Sequence, residues 1–203
     1  ISLFIVPLPD AAVQISHLKK EGLKGSETGL IYIEDLFVPD DHLLGDQEGT
    51  YPVILESLTE NRVGVAASVL GVAKGAYQEA LAYARTRIVA GKPILDYQAV
   101  AHRLADMVTD IEAAHWMVYH GAWKVDQGTI DHAAAAKIKL FASEAALRVT
   151  EGAMRVLGGA SIMREYSVGM HHRDAMVYLF GEGTYDVQGN LISRGMGDDD
   201  LLP

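Results

Sequence analysis

A glutamate between two glycines is the residue of this sequence best suited to do chemistry. Glu182 lies between Gly181 and Gly183, and Thr184 follows. Flanking glycines leave a carboxylate uncovered by neighbouring side chains and give the backbone freedom to place it at the wall of a cavity. A ligand that covers such a carboxylate makes it a stronger base, which suits it to proton abstraction. An exposed glutamate without a chemical role has the same local sequence, so both interpretations remain open.

An arginine on an apolar helical stripe is the second informative residue. Arg62 lies four residues after Leu58 and three before Val65, on the face that these apolar residues define. A cation there must either pair with a carboxylate, such as Glu60 or one on another helix, or face a polar cavity. In the second case the guanidinium would contact an anion or a carbonyl group of a ligand.

Gly158 and Gly159 follow a long apolar helical pattern. Two glycines at this place are first of all a helix C-cap. They also let backbone N–H groups approach a phosphate. The segment is neither a P-loop nor a GxGxxG fingerprint, because the spacing and the lysine are missing.

The eight histidines do not have the spacing of metal ligands. His171 and His172 are adjacent and would point about 100° apart on a helix. Neither an HExxH motif nor a GxSxG nucleophile elbow occurs. We therefore expect no metal site.

Composition excludes several other classes of function. The 203 residues include 27 acidic and 17 basic ones, a formal charge of −10, which disfavours a nucleic-acid partner. No cysteine is present, which excludes disulfides and thiolate chemistry. No uncharged apolar run approaches about 18 residues, so we expect no membrane span. We expect a cytoplasmic protein, or a mitochondrial matrix protein if it is eukaryotic.

The pattern of apolar residues changes near residue 50, from one typical of short strands to one typical of helices. Residues 1–6, 30–33 and 37–39 have the pattern of short strands, and a glycine-bounded turn covers 45–49. The chain starts without Met and within an apolar run. We therefore expect a portion of a longer protein, with 1–48 as the C-terminal part of a β-barrel-like middle domain.

Residues 49–203 have helical periodicity and form the second predicted domain. The apolar spacing predicts long helices over 51–87, from Asp96 to Gly128, and from an N-cap at Asp131 to residue 157. Shorter helices follow over 171–180 and up to Arg194, and 198–200 are a solvated tail. The predicted fold is mainly α, an antiparallel four-helix-type bundle preceded by the last strands of a β domain.

These features together resemble the acyl-CoA dehydrogenase family along essentially the whole chain. The resemblance covers the end of the family's middle β domain and its complete C-terminal helical domain. Each segment that carries it is short, but they occur in the family's order and spacing. These segments are 30–39 with 43–45, 61–67 with 70–71, Arg87 with 91–94 and Gln98, 104–107, 157–159 with 164–166 and 173–175, and 182–184 with Gln188.

The resemblance implies a flavoprotein oxidoreductase of fatty acid metabolism that holds FAD. Such enzymes oxidise an acyl-CoA thioester to the 2,3-enoyl-CoA, with α-proton removal by a base and hydride transfer to flavin N5. Glu182 matches the family's base, and the oxyanion would meet the N–H of Glu182 and a flavin ribityl hydroxyl. Some relatives place the base just before the arginine, but that position is Asn61 here, which cannot act as one.

The resemblance also implies the binding residues. Arg87 and Gln98 would reach the FAD of a neighbouring subunit, and Arg62 and Gly183 would lie beside the acyl-CoA. Further FAD contacts would come from Arg155, Val156, Leu157, Gly158 and Gly159 across the interface, and from Thr184 and Asp186 within the subunit. The implied assembly is a homotetramer, a dimer of dimers, with electron-transfer flavoprotein as the acceptor.

The chain departs from the family pattern at several positions. Ala90, Arg155 and the pair Ala160-Ser161 replace residues common in the family, which affects details of the FAD contacts. Gly181 replaces a bulkier residue before the base and suggests a roomier cavity, so we predict a branched, cyclic or otherwise bulky acyl group.

Three alternatives remain open at this point. The enzyme alternatives are an acyl-CoA oxidase and a flavin monooxygenase relative. The third is a non-catalytic scaffold subunit of such a complex. Because the family's N-terminal half is not in this sequence, we expect the chain alone to be inactive until that half is supplied by the same or a separate chain.

Overall fold

The computed structural model describes residues 2–45 and 49–196, and the chain divides into two compact units, Ile1–Leu58 and Thr59–Pro203. The predicted mainly helical fold is confirmed. The turn predicted over 45–49 falls largely, and the tail at 198–200 entirely, outside the described residues. Among the described residues, no helix has the length and apolar character needed to cross a membrane.

The first unit contains two short antiparallel pairs of strands. Strand β1, Leu3–Phe4, pairs with β4, Leu43–Leu44. Strand β2, Val13–His17, pairs with β3, Gly29–Ile33, with Val13 opposite Ile33. The strand predicted over 30–33 is confirmed, whereas β2 was not predicted.

The strand predicted over 37–39 is wrong. Asp35 has a positive φ of 52°, which turns the chain out of β3. The residues that follow pair with no strand in the described part of the chain and lead into a 3-10 turn over Asp40–His42.

The second unit contains most of α1 and four further helices. Helix α1 is Tyr51–Thr86, α2 is Gln98–Asp126, α3 is His132–Leu157, α4 is Val168–Tyr178 and α5 is Tyr185–Arg194. A tight hairpin of β5, Ile88–Val89, and β6, Lys92–Pro93, separates α1 from α2. Each predicted helix is present, with ends within a few residues of those expected.

Helix α3 is the centre of the bundle, since it contacts α2, α4 and α5. The side chain of Asp131 caps its first turn by accepting a hydrogen bond from the N–H of Ala134 at 2.6 Å. Gly158, at a φ of +58°, ends it. These two caps confirm the predicted limits of the helix.

Helix α1 contributes mainly alanines to the core. Fully or almost fully buried alanines occur at Ala66, Ala73, Ala76, Ala80 and Ala84. Small side chains allow neighbouring helices to approach closely. The buried face also includes Thr59 and Val63, whereas Leu55, which the predicted stripe contained, is exposed.

Helix α2 has an exposed aromatic side. Trp116, Tyr119 and Trp123 follow one another at spacings of three and four and are each more than half exposed. The rings of His115 and Tyr119 lie 4.2 Å apart, centroid to centroid.

Candidate functional site

Glu182 lies in the short loop between α4 and α5. Its backbone is in the left-handed region, with a φ of 55°, and Gly183 follows at a φ of 107°. A left-handed conformation is unfavourable for a residue with a side chain, so surrounding contacts must maintain it. Thr184 then caps α5, with its hydroxyl accepting from the N–H of Val187 at 3.4 Å.

Lys139 of α3 is one of the contacts that hold this loop. Its side chain is 1% exposed. The ammonium donates to the carbonyl oxygen of Gly183 at 2.7 Å and to that of Leu179 at 3.2 Å. Burial lowers the pKa of Lys139 to about 8, with a further lowering by the charge of Arg62, while Glu182 and Glu144 act in the opposite direction.

Gln188 of α5 holds the same loop from the other side. The side chain is completely buried, and its amide nitrogen donates to the carbonyl oxygens of Glu182 at 2.9 Å and Gly183 at 3.2 Å. A Cβ on Gly183 would lie 2.6 Å from this nitrogen, so the close approach requires glycine. Helices α3 and α5 together therefore fix the backbone on which Glu182 is placed.

Arg62 of α1 is 7% exposed and interacts electrostatically with Glu182. Burial lowers the pKa of Arg62, and the neighbouring carboxylate partly offsets this effect. The sequence left two possibilities for Arg62, a carboxylate partner or a ligand pocket. The carboxylate that interacts with it is that of Glu182, the candidate base.

Three buried polar atoms of this group have no hydrogen-bond partner within the described residues. They are Oε2 of Glu182, Nε of Arg62 and Oε1 of Gln188. A buried polar atom without a partner costs about 1–3 kcal/mol, so three in one group indicate a place prepared for a polar ligand. The available chemistry is a base, a cation and an amide acceptor.

A second feature is an open cleft of about 550 Å³ where α1 and α3 end. The residues that line it include Arg87 and the run 156–159, which the family resemblance implied as FAD contacts, together with Tyr83 and Tyr166. Arg87, Gly158 and Gly159 are exposed. A guanidinium beside exposed glycine backbone is a suitable environment for a pyrophosphate.

The other predicted cofactor residues lie apart from the lining of this cleft. Gln98 is exposed at the start of α2, and Asp186 is exposed in the first turn of α5. Arg155 is exposed and forms an ion pair with Glu151, with a distance of 2.6 Å from Nη2 to Oε1. Arg155 accordingly lowers the pKa of Glu151.

The two places lie toward opposite ends of α3. Lys139 and Val156 are separated by 17 positions of this helix. A rise of 1.5 Å per residue puts them about 26 Å apart along its axis. Within residues 2–45 and 49–196, no group of three or more histidine or acidic side chains is arranged to hold a metal ion.

Sequence reasoning missed the roles of Lys139 and Gln188. Lys139 had a detectable signal, because it lies between Ile138 and Leu140 in a helix predicted to be buried on more than one side. A lysine in such surroundings raises the same question as Arg62 on its apolar stripe. Gln188 belonged to the family-like motif at 182–188, but nothing in its type or spacing indicated two backbone acceptors.

Comparison with known proteins identifies the family. The model of the acyl-CoA dehydrogenase C-terminal domain matches residues 49–197, and the chain belongs to the acyl-CoA dehydrogenase family. A relative in Bacillus subtilis (strain 168), named probable acyl-CoA dehydrogenase YngJ, is 40% identical over 195 residues, which cover 96% of this chain and 51% of the relative. Cyclohexane-1-carbonyl-CoA dehydrogenase of Geobacter metallireducens is 32% identical, with the same two coverages of 96% and 51%.

Solved structures agree with this assignment. Butyryl-CoA dehydrogenase from Megasphaera elsdenii superposes with a TM-score of 0.92 at 33% identity, over 96% of this chain and 51% of that protein. An FAD complex of PigA superposes with a TM-score of 0.90 at 28% identity, over 97% of this chain and 51% of PigA. The chain thus spans about half the length of the curated relatives it matches.

Proposed function

We propose that this chain provides the base and part of the FAD site of an enzyme that dehydrogenates acyl-CoA thioesters to 2,3-enoyl-CoA. The observation that carries the proposal is the environment of Glu182. Its carboxylate is half-buried beside a buried arginine, has one unpartnered oxygen, and is placed by a strained backbone that two buried side chains hold.

Glu182 would remove the α-proton of the thioester. This proton is weakly acidic, so removal requires a base shielded from water and a donor to the developing oxyanion. The backbone N–H of Glu182 would be one such donor, as the family resemblance implies. Arg62 and Gly183 would lie beside the acyl-CoA, and the unpartnered Nε of Arg62 is a donor available to it. FAD, when bound, would accept the β-hydrogen as a hydride.

The cleft lined by Arg87 and 156–159 would hold the diphosphate and adenosine end of the cofactor. Its forked cation and exposed glycine backbone suit a pyrophosphate. This cleft lies about 26 Å along α3 from Lys139. We therefore expect the cleft to contact the FAD of a neighbouring copy, whereas Glu182 would act beside the FAD of its own subunit. Such sharing requires at least a dimer, and we propose a dimer of dimers with electron-transfer flavoprotein as the acceptor.

Substitution of Glu182 by glutamine tests the proposal in the FAD-loaded protein with the N-terminal half supplied. We expect Glu182→Gln to keep the yellow flavin but to slow bleaching by acyl-CoA by about 10²–10⁴-fold, the usual contribution of a general base. Glu112→Gln, which removes an exposed glutamate of α2, is the matched control and should bleach at the parent rate. Normal bleaching by Glu182→Gln would show that this residue is not the base.

Gly181 would leave room for a branched, cyclic or otherwise bulky acyl group. A Cβ at this position would meet only the carbonyl oxygen of Val177, at 3.7 Å, so a side chain can be added without disturbing the loop. Gly181→Tyr should therefore reduce kcat/KM for a cyclic acyl-CoA more than for butyryl-CoA. Equal losses on both substrates would remove the predicted preference.

A further inference from the structure

Lys139 is a buried charged residue that the proposed reaction does not use directly. Its ammonium bonds to two carbonyl oxygens that bracket Glu182 in the chain, those of Leu179 and Gly183. The first precedes the glutamate by three residues and the second follows it by one. The lysine itself is fixed on the central helix of the bundle, so it connects a rigid element to both sides of the loop.

The conformation of the loop makes such a connection necessary. Glu182 and Gly183 both have positive φ values, 55° and 107°. A non-glycine residue in this region is strained, and without opposing contacts the backbone relaxes toward negative φ. Relaxation at Glu182 would re-aim its side chain, because φ rotates everything that follows the N–Cα bond.

The charge of Lys139 also acts on the base. Glu182 is among the charged groups that interact with the ammonium, together with Arg62 and Glu144. With a pKa of about 8, Lys139 is mostly protonated at neutral pH. The ammonium therefore adds a second positive charge to that of Arg62 in the surroundings of Glu182.

We propose that Lys139 is a positioning residue for proton abstraction, which holds the Glu182 loop through the carbonyl oxygens of Leu179 and Gly183. This inference rests on the proposed role of Glu182. Loss of the Lys139 side chain would misplace the Glu182 carboxylate while leaving the contacts to substrate and cofactor in place. A misplacement of about 1 Å costs on the order of 10²-fold in rate.

The test compares three variants in the FAD-loaded protein. Lys139→Met removes both bonds and the charge at similar volume. Thr150→Val is the matched structural control, because it removes another hydrogen bond between α3 and α4, the one between Oγ1 of Thr150 and Nδ1 of His172 at 3.1 Å. Glu182→Gln reports separately on the base. Stopped-flow bleaching gives the reduction rate and the dissociation constant of butyryl-CoA, and α- and β-deuterated substrates give the two isotope effects.

We expect Lys139→Met to slow reduction about 10²-fold at an unchanged dissociation constant, with a larger α-deuterium and not a larger β-deuterium isotope effect. Thr150→Val should retain the parent rate and isotope effects. Hydrogen exchange of the protein without substrate gives an independent readout: amides of residues 179–184 should exchange at least tenfold faster in Lys139→Met only. If Lys139→Met does not fold, Lys139→Gln carries the same measurements.

Two results would overturn the inference. One is a flavin reduction rate and amide hydrogen exchange in Lys139→Met that equal those of the parent. The other is slower reduction with unchanged isotope effects, which a non-specific structural perturbation would produce. If Glu182→Gln abolishes bleaching in either case, only the role of Lys139 fails. If Glu182→Gln reacts normally, the proposed base fails, and the positioning role fails with it.

Discussion

The two glycines that flank Glu182 provide a sharp test of how the loop is held. Replacing either one by alanine adds a single methyl group next to the same residue. At Gly183 the added Cβ would lie 2.6 Å from Nε2 of Gln188 and 3.1 Å from Cγ1 of Val187. At Gly181 it would meet one atom, the carbonyl oxygen of Val177, at an ordinary 3.7 Å.

The expected magnitudes follow from these contacts. Gly183→Ala places a side chain at a φ of 107°, which costs about 1–3 kcal/mol. It also displaces the completely buried Gln188, and each of its two bonds contributes about 1 kcal/mol. We expect Gly183→Ala to lower the free energy of unfolding by about 3–5 kcal/mol. Gly181→Ala should raise it by about 0.4–1 kcal/mol, because alanine restricts the unfolded chain at a compatible position.

Urea unfolding followed by far-UV circular dichroism measures both free energies. The same two proteins, loaded with FAD, should differ in bleaching by acyl-CoA, which Gly183→Ala slows and Gly181→Ala retains. Equal stabilities for the two variants would contradict the role assigned to Gln188 and to the positive φ of Gly183. A stable Gly183→Ala variant with slow bleaching would mean that the loop had moved at no net cost.

Two further predictions concern α3. Asp131→Ala should destabilise the protein by about 1 kcal/mol, because it removes the N-cap of α3. Asp126→Ala, at the exposed end of α2, is the control and should leave the stability unchanged. The urea midpoints of the two variants measure the difference, and equal shifts would exclude loss of the cap as the cause. The pKa of Lys139 is lowered from 10.5 to about 8, so the unfolded chain binds more protons than the native one between these pH values, and stability should rise with pH through this window. Between pH 8 and 10.5, the free energy of unfolding of the parent protein should rise by at most about 3 kcal/mol relative to that of Lys139→Met, which lacks the titrating group. Parallel pH profiles of the two proteins would contradict this prediction.

The helices could be predicted because their signals are local. The spacing of apolar residues fixed the length of α1, and the residue types of Asp131 and Gly158 marked the two ends of α3. Both act through backbone groups within one turn, so no distant partner is needed to recognise them.

The strands depended on partners that are distant in sequence. Val13–His17 forms β2 because Gly29–Ile33 pairs with it, although its own alternation is weak. The run 37–39 has β-prone residues but no strand beside it in the described part of the chain, and the left-handed Asp35 directs it away. Propensity alone distinguishes these two segments poorly, since pairing decides the outcome.

The sequence allowed us to predict which residues of the candidate site could do chemistry, but not which contacts hold them in position. Glu182 lies between two glycines and Arg62 lies on an apolar helical stripe, and both features can be recognised without a structure. The electrostatic interaction between them connects α1 to the loop before α5. The hydrogen bonds of Lys139 connect α3 to the same loop. Such contacts depend on how helices pack, which a pattern along one helix does not specify.

The aromatic side of α2 has a practical consequence for optical experiments. The sequence contains two tryptophans, Trp116 and Trp123, and both are more than half exposed on that side. Intrinsic emission of the folded chain therefore originates from indoles in contact with water, and unfolding the alanine-lined interior changes it little. A blue shift or quenching of this emission would instead signal that another molecule had covered the helix.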